Sequence, residues 1–288
     1  MAAAALFSIA STLMSQAAPA VRQIDHIMIR ADDPGALYAF FTEILKLPVA
    51  WPMVSPRPGV TTGGVGFGNV NVEAINFPEQ KRRSSPAELL GFALEPVSLR
   101  ESLAELDRRG ISYGELRPLV STGQDGAKNT LWTNVTLRQF SDTDGPADAS
   151  VHIFLSEYSA AYVDVQERRA RLRKQLVQGA GGPLGVEAVK EVVVGVTDLE
   201  RAGGLWQKLF DPTPLSGSNS WQIGSGPAVR LVKAEENAVR ELVISVASLP
   251  QAKAFLLEAG LLGFDSEEEA TIESSKIYGL NIRVVAKR

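Results

Sequence analysis

From residue 24 the chain alternates apolar and polar positions, "IDHIMIRA", with Ile27 and Ile29 on one side and His26 and Met28 on the other. That period of two predicts a half-buried strand. "DDPGALYAFFTEILKL" then switches to helical spacing. Asp32 or Asp33 can cap it, Pro34 suits its first turn, and Leu37, Phe40, Phe41 and Ile44 form the buried face. Strand-like runs follow around "PVAWPMV", "GVGFGN" and "NVNVEAINF". The order is β-α-β-β-β.

The order recurs. "LLGFALEP" reads as a strand and "VSLRESLAELDRRG" as a helix with Leu99, Leu103 and Leu106 inward, before strands in "ISYGELRPL", "NTLWTNVTLRQF" and "SVHIFLSEYS". "AAYVDVQERRARLRKQL" is a very basic helix, read as a solvated bridge between domains, with an acidic ligand as the alternative. "GAGGPLG" reads as a linker. The theme then restarts in "AVKEVVVGVTDLERAGGLWQKLFD", with Asp198 near the cap and Leu205, Trp206 and Leu209 on the helix, and ends in a shorter fourth copy over 240–288. Four copies are too few and too sheet-rich for a solenoid, so two pairs, each one domain, are expected. The expected fold is α+β: four βαβββ modules paired into two curved mixed-sheet domains with helices on the outer face.

Composition narrows the function. The 288 residues suit two domains, and a net charge of -4 gives no reason to expect nucleic acid or an anionic membrane as partner. Without cysteine, disulfides, thiolate metal sites and a cysteine nucleophile are excluded. Residues 1–20 read as a signal-like or disordered segment: an apolar run ends in Ala18-Pro19-Ala20, but no basic residue precedes it. A cytoplasmic location and export both stay open. The glycines Gly63, Gly64, Gly66 and Gly68 enter a strand rather than a helix, so they form no phosphate loop and are read as sites of close packing.

"IDHIMIRADDPGALYAFFTEILKLPV" and "GFGNVNVEAINF" resemble the opening strand and helix and the last strand of a module of the vicinal oxygen chelate superfamily, which includes glyoxalase I, bleomycin-resistance proteins and type I extradiol dioxygenases. The resemblance covers residues 23–288 as architecture and residues 23–77 in motif. It implies a glyoxalase-like domain over 21–160, a basic helix and Gly-rich linker over 161–185, and a second, degenerate domain over 186–288. It also implies a cup holding one divalent metal ion (Fe, Zn, Ni or Mn), with ligands from the first and last strands of each module. Carried over, His26 and Glu73 are ligands and His152 is a third, while Glu73 or Glu157 could shuttle a proton. Period two puts His152 with Phe154 and Ser156 and turns Glu157 away unless a bulge re-aims it.

The fourth ligand strand offers Glu88, Gly91 or Phe92 opposite His26, and no histidine. In the second pair Glu191 falls at the His26 position, Arg230 at that of Glu73 and Arg283 at the last ligand position, which reads as an ion-paired interior. Tyr38, Trp51 and Trp132 are read as core, with cup lining as the alternative. The function implied is a metal-dependent lyase, isomerase or dioxygenase acting on a small oxygenated molecule, because imidazole and carboxylate suit such ions and open positions admit substrate oxygens. The alternatives are a metal-free binding or sequestering protein and a degenerate module used for assembly. The partner expected is a small-molecule substrate or ligand, and a homodimer is left open.

Overall fold

The computed structural model describes residues 18–78, 85–123, 125–147 and 149–287. The signal-like segment lies, up to residue 17, outside the described residues. Module one is β1 (Val21–Ala31), α1 (Pro34–Ala39), β2 (Val49–Arg57), β3 (Val60–Gly66) and β4 (Asn71–Asn76). Module two is β5 (Ala87–Pro96), α2 (Leu99–Arg109), β6 (Arg117–Thr122), β7 (Lys128–Thr136) and β8 (His152–Tyr158). After α3 (Val165–Gln178), module three runs through β9 (Val186–Val196), α4 (Leu199–Phe210), β10 (Leu215–Gly217), β11 (Ser220–Gln222) and β12 (Ala228–Lys233). Module four is β13 (Ala238–Val246), α5 (Leu249–Glu258), β14 (Leu262–Asp265), β15 (Glu269–Ile272) and β16 (Ile282–Ala286).

These strands build two eight-stranded mixed sheets, ordered β2-β3-β4-β1-β5-β8-β7-β6 and β10-β11-β12-β9-β13-β16-β15-β14. In each, the first strands of two modules pair antiparallel at the centre, and each last strand lies parallel to its own first strand. The fold is thus α+β as expected. One continuous core spans both sheets and their helices, and Trp206 of α4 packs against Phe92 of β5 and Phe140 at centroid distances of 6.0 and 5.0 Å.

The helix starts follow local rules. Asp33, Ser98, Asp198 and Ser248 each accept the backbone N–H three residues on, the bond that satisfies a free first-turn donor. Helix α1 departs from the expected pattern, because it continues as a π-helical turn over Phe40–Ile44 in which Leu45 N–H reaches back to Phe40 O. The wider turn inserts a residue, so Ile44 swings out to solvent and Leu45 takes the buried place instead.

Helix α3 also departs from expectation. Only Leu172 and Leu176 are fully buried on it, but Arg168 and Arg169 turn inward to Asp25 of the first sheet. A solvated bridge would leave them in water, whereas here a buried carboxylate draws them in. Gly66 makes this docking fit, since a Cβ there would stand 3.2 Å from the Leu172 side chain.

Candidate functional site

The first sheet's open face carries His26, Met28, Glu73, Gly91, His152 and Phe154, as the alternation requires. One residue joins them against the alternation. Pairing between β1 and β5 steps from Ile24↔Leu94 to His26↔Ala93, so Asp25 is a bulge residue with no partner opposite. A bulge lets two successive side chains serve one face, and Asp25 Oδ2 sits 2.8 Å from His26 Nδ1. The bulge recurs one residue before the equivalent position of every module, at Leu90, Lys190 and Arg240. Counted back from the four caps, the positions equivalent to His26 are therefore Gly91, Glu191 and Glu241.

Around this pair the interior is polar and charged. His26 Nε2 faces Glu73 Oε2 at 3.4 Å, and Thr62 Oγ1 donates to Glu73 Oε1 at 2.5 Å. Asp25 accepts from Tyr158 Oη at 3.2 Å and from the guanidiniums of Arg168 and Arg169 at 3.2 and 3.3 Å. Arg169 also reaches Glu95 at 2.8 Å. Burial pushes the Asp25 carboxyl up, but the hydrogen bond from His26 and the charges of His26, Arg168 and Arg169 outweigh it and hold it at about 2. For His26, burial works against the charged ring, yet the Asp25 bond and the Glu73 and Asp25 charges carry its pKa above the ordinary value. Tyr158 is raised well above its ordinary value, first by burial and then by Asp25.

Three carboxylates inside the cup (Asp25, Glu73, Glu95) face two guanidiniums (Arg168, Arg169), and one proton on His26 closes the balance. Arg22, 3.9 Å from Glu95, is half in solvent and screened.

The other expected site residues are less close. His152 lies on the open face but pairs with Gly91, one row from His26, and Phe154 stands between the two imidazoles, 5.0 Å from one centroid and 5.8 Å from the other. Its Nδ1 is buried with no hydrogen-bond partner, and burial, with Arg117, lowers its pKa to about 4. Glu157, the alternative to Glu73 as a proton shuttle, lies outside this group of residues. No bulge re-aims it; it faces the helices, where Oε1 accepts the first N–H of α2, that of Leu99, at 2.7 Å. Trp51 and Trp132 line the cup, Trp51 6.2 Å from His26 and Trp132 6.2 Å from Tyr158. Tyr38 packs with the main core. Gly64 makes room for Trp51, since a Cβ there would fall 2.5 Å from its ring.

Sequence reasoning missed Asp25, Tyr158 and the two arginines. Adjacency to His26 was the only signal for Asp25, the basic run marked the two arginines only as part of a helix read as solvated, and nothing local marked Tyr158.

The second cup is ion-paired, though Glu191 meets one arginine there and the other arginine takes different partners. Arg230 binds Glu191 at 2.8 Å, and Arg283 binds Glu241 at 3.1 and 2.8 Å and Glu269 at 2.8 Å. That face also opens into a cavity of about 410 Å³ whose walls include Val193, Arg240, Glu241, Thr271 and Asn281.

His26 and Glu73 occupy a first and a last strand and converge as two metal donors would, with Asp25 behind the imidazole as an orienting carboxylate. A third donor does not join them. By the register, the other two equivalent positions in this cup are Gly91 and Phe154, which carry no donor atom. Among the described residues, no three His, Asp or Glu side chains are grouped to hold a metal ion. The donor set therefore falls one short of the three protein ligands usual at a catalytic zinc or non-haem iron site.

No protein-family model and no curated protein sequence matches the chain at a significant level. Solved structures do. A triple mutant of 4-hydroxymandelate synthase from Streptomyces coelicolor superposes with a TM-score of 0.60 at 12% identity over 93% of each chain. Homoprotocatechuate 2,3-dioxygenase from Brevibacterium fuscum gives 0.56 at 10%, covering 95% of this chain and 82% of that one. The Mn(II)-bound glyoxalase from Novosphingobium aromaticivorans gives 0.53 at 10%, covering 93% and 83%. At such identities the likeness speaks for the fold alone: four βαβββ modules paired into two curved mixed sheets, the architecture that the sequence resemblance implied.

Proposed function

We propose that this chain is a small-molecule binding protein whose first cup works without a resident metal, with His26 holding a proton between Asp25 and Glu73. The observation that carries the reading is the charge balance of the cup, which a single proton on His26 completes and a divalent ion would exceed. Two acceptors facing each other at 3.4 Å need a proton or a cation between them, and the raised pKa of His26 favours the proton.

The experiment is metal analysis of the purified full chain. The expected result is below about a tenth of an equivalent of Fe, Zn, Ni or Mn, with no uptake on titration. Stoichiometric metal that disappears in His26→Ala would overturn the reading.

A second reading keeps a metal-dependent lyase, isomerase or dioxygenase acting on a small oxygenated molecule. The convergence of His26 and Glu73 favours it, and it requires His152 or a ligand atom as third donor. The same experiment separates the two.

A further inference from the structure

The interior of the first cup already contains an organic cation, supplied by the chain itself. The Arg168 guanidinium lies 4.9 Å from the ring centroid of Tyr158 and 5.8 Å from that of Trp51, and its Nη2 stands 3.2 Å from Asp25 Oδ1. Two aromatic faces beside a buried carboxylate are the elements that recognise guanidinium and ammonium groups. Asp25 is held from behind by His26 and Tyr158, so it stands in place independently of its arginine partners. Trp132 and Tyr162 continue the aromatic surface from Tyr158 outward, at centroid distances of 6.2 and 6.5 Å, and Tyr162 is half exposed.

The site and its occupant belong to different parts of the chain. Asp25, Trp51 and Tyr158 sit on β1, β2 and β8, within a sheet, whereas Arg168 sits on α3, which buries only two side chains fully and runs into the Gly-rich segment 179–185. Two further groups of the cup are unsatisfied. Asn134 Oδ1, on the cup face of β7, and Arg169 Nη1 are buried without hydrogen-bond partners. The first suits an N–H of a ligand and the second a hydroxyl or carbonyl on the same molecule. Charge selects the class: exchanging Arg168 for another monocation leaves the charge of the cup unchanged, whereas an anion would meet Asp25, Glu73 and Glu95.

We propose that the first cup is a recognition site for a small organic monocation of the guanidinium or amine type, and that Arg168 fills it as an internal surrogate which such a ligand displaces together with α3. This rests on the metal-free reading of the cup. A ligand that must displace Arg168 binds the native chain weakly, because its apparent affinity is reduced by the fraction of molecules with the site open.

The test uses the full chain and methylguanidinium as probe, with sodium acetate as the anion control, followed by calorimetry. Arg168→Met keeps an apolar stem between the rings and removes the competing charge. The expected result is saturable binding of methylguanidinium at least about tenfold tighter than to the unaltered chain, no binding of acetate, and a several-fold loss when Trp51→Leu is added. Absence of saturable binding in Arg168→Met, binding insensitive to Trp51→Leu, or preference for acetate each overturns the proposal. Should Arg168→Met fail to fold, Arg168→Gln replaces it under the same criteria. In the unaltered chain, saturating methylguanidinium is expected to lower hydrogen-exchange protection of the α3 amides, and unchanged protection counts against displacement. Metal analysis of the same samples keeps the two readings apart: metal at His26 sinks the metal-free cup, whereas metal-free protein that binds no cation sinks this proposal alone.

Discussion

His26 Nε2 and Glu73 Oε2 face each other at 3.4 Å across the parallel pairing of β1 and β4. With Asp25 on the other ring nitrogen at 2.8 Å, the imidazole stands between two carboxylates. Its pKa is raised, so this contribution to stability is fully present below the unfolded value of 6.5 and is lost as the pH rises through the folded value. In Glu73→Gln the ring keeps Asp25 but loses the second carboxylate charge. NMR titration of the two histidines should show the His26 pKa lower than in the parent, and urea unfolding should show a smaller loss of stability on the alkaline side. An unchanged His26 pKa would refute the coupling.

His152 behaves in the opposite sense. The unfolded chain takes up its proton near 6.5 and the folded chain near 4. Stability should therefore fall as the pH drops between those values, by up to about 3 kcal/mol from this group. His152→Phe removes both the titration and the orphaned Nδ1, and should flatten that part of the pH profile while leaving neutral-pH stability equal or higher. Marked destabilisation at pH 7 would instead point to a partner that His152 needs.

Glu157→Ala should act on α2 alone. Losing the acceptor for the Leu99 N–H is expected to cost about 0.5–2 kcal/mol, as for other helix-start caps. Ligand or metal binding by the cup should be unchanged, which calorimetry on the folded variant checks.

Trp206 is buried between Phe92, Phe140 and Phe210, where the core of one sheet continues into that of the other. Trp206→Ala should cost about 3–5 kcal/mol. Because the core is continuous, thermal unfolding should remain a single transition at a lower midpoint. Two separated transitions would show that the sheets are energetically independent.

By itself the sequence determined the modules. Period-two alternation in "IDHIMIRA" and "NVNVEAINF", helical spacing after Asp33, Ser98, Asp198 and Ser248, and glycines before β4 are local signals, and local signals suffice to order strands and helices and to say which side chains share a face. Alternation turned Glu157 away from His152, whereas His26 and Glu73 were brought together only by the family resemblance. The tertiary structure decided the rest, because it depends on pairing between distant residues. Register put His152 one row from His26 and put Phe154 in the place of a ligand. The bulge at Asp25, visible only against Leu94 and Ala93, brought a carboxylate onto a face that alternation denies it. That carboxylate drew Arg168 and Arg169 out of water, since a buried charge is costly unless paired, and so turned an outwardly polar helix into the cover of the cup.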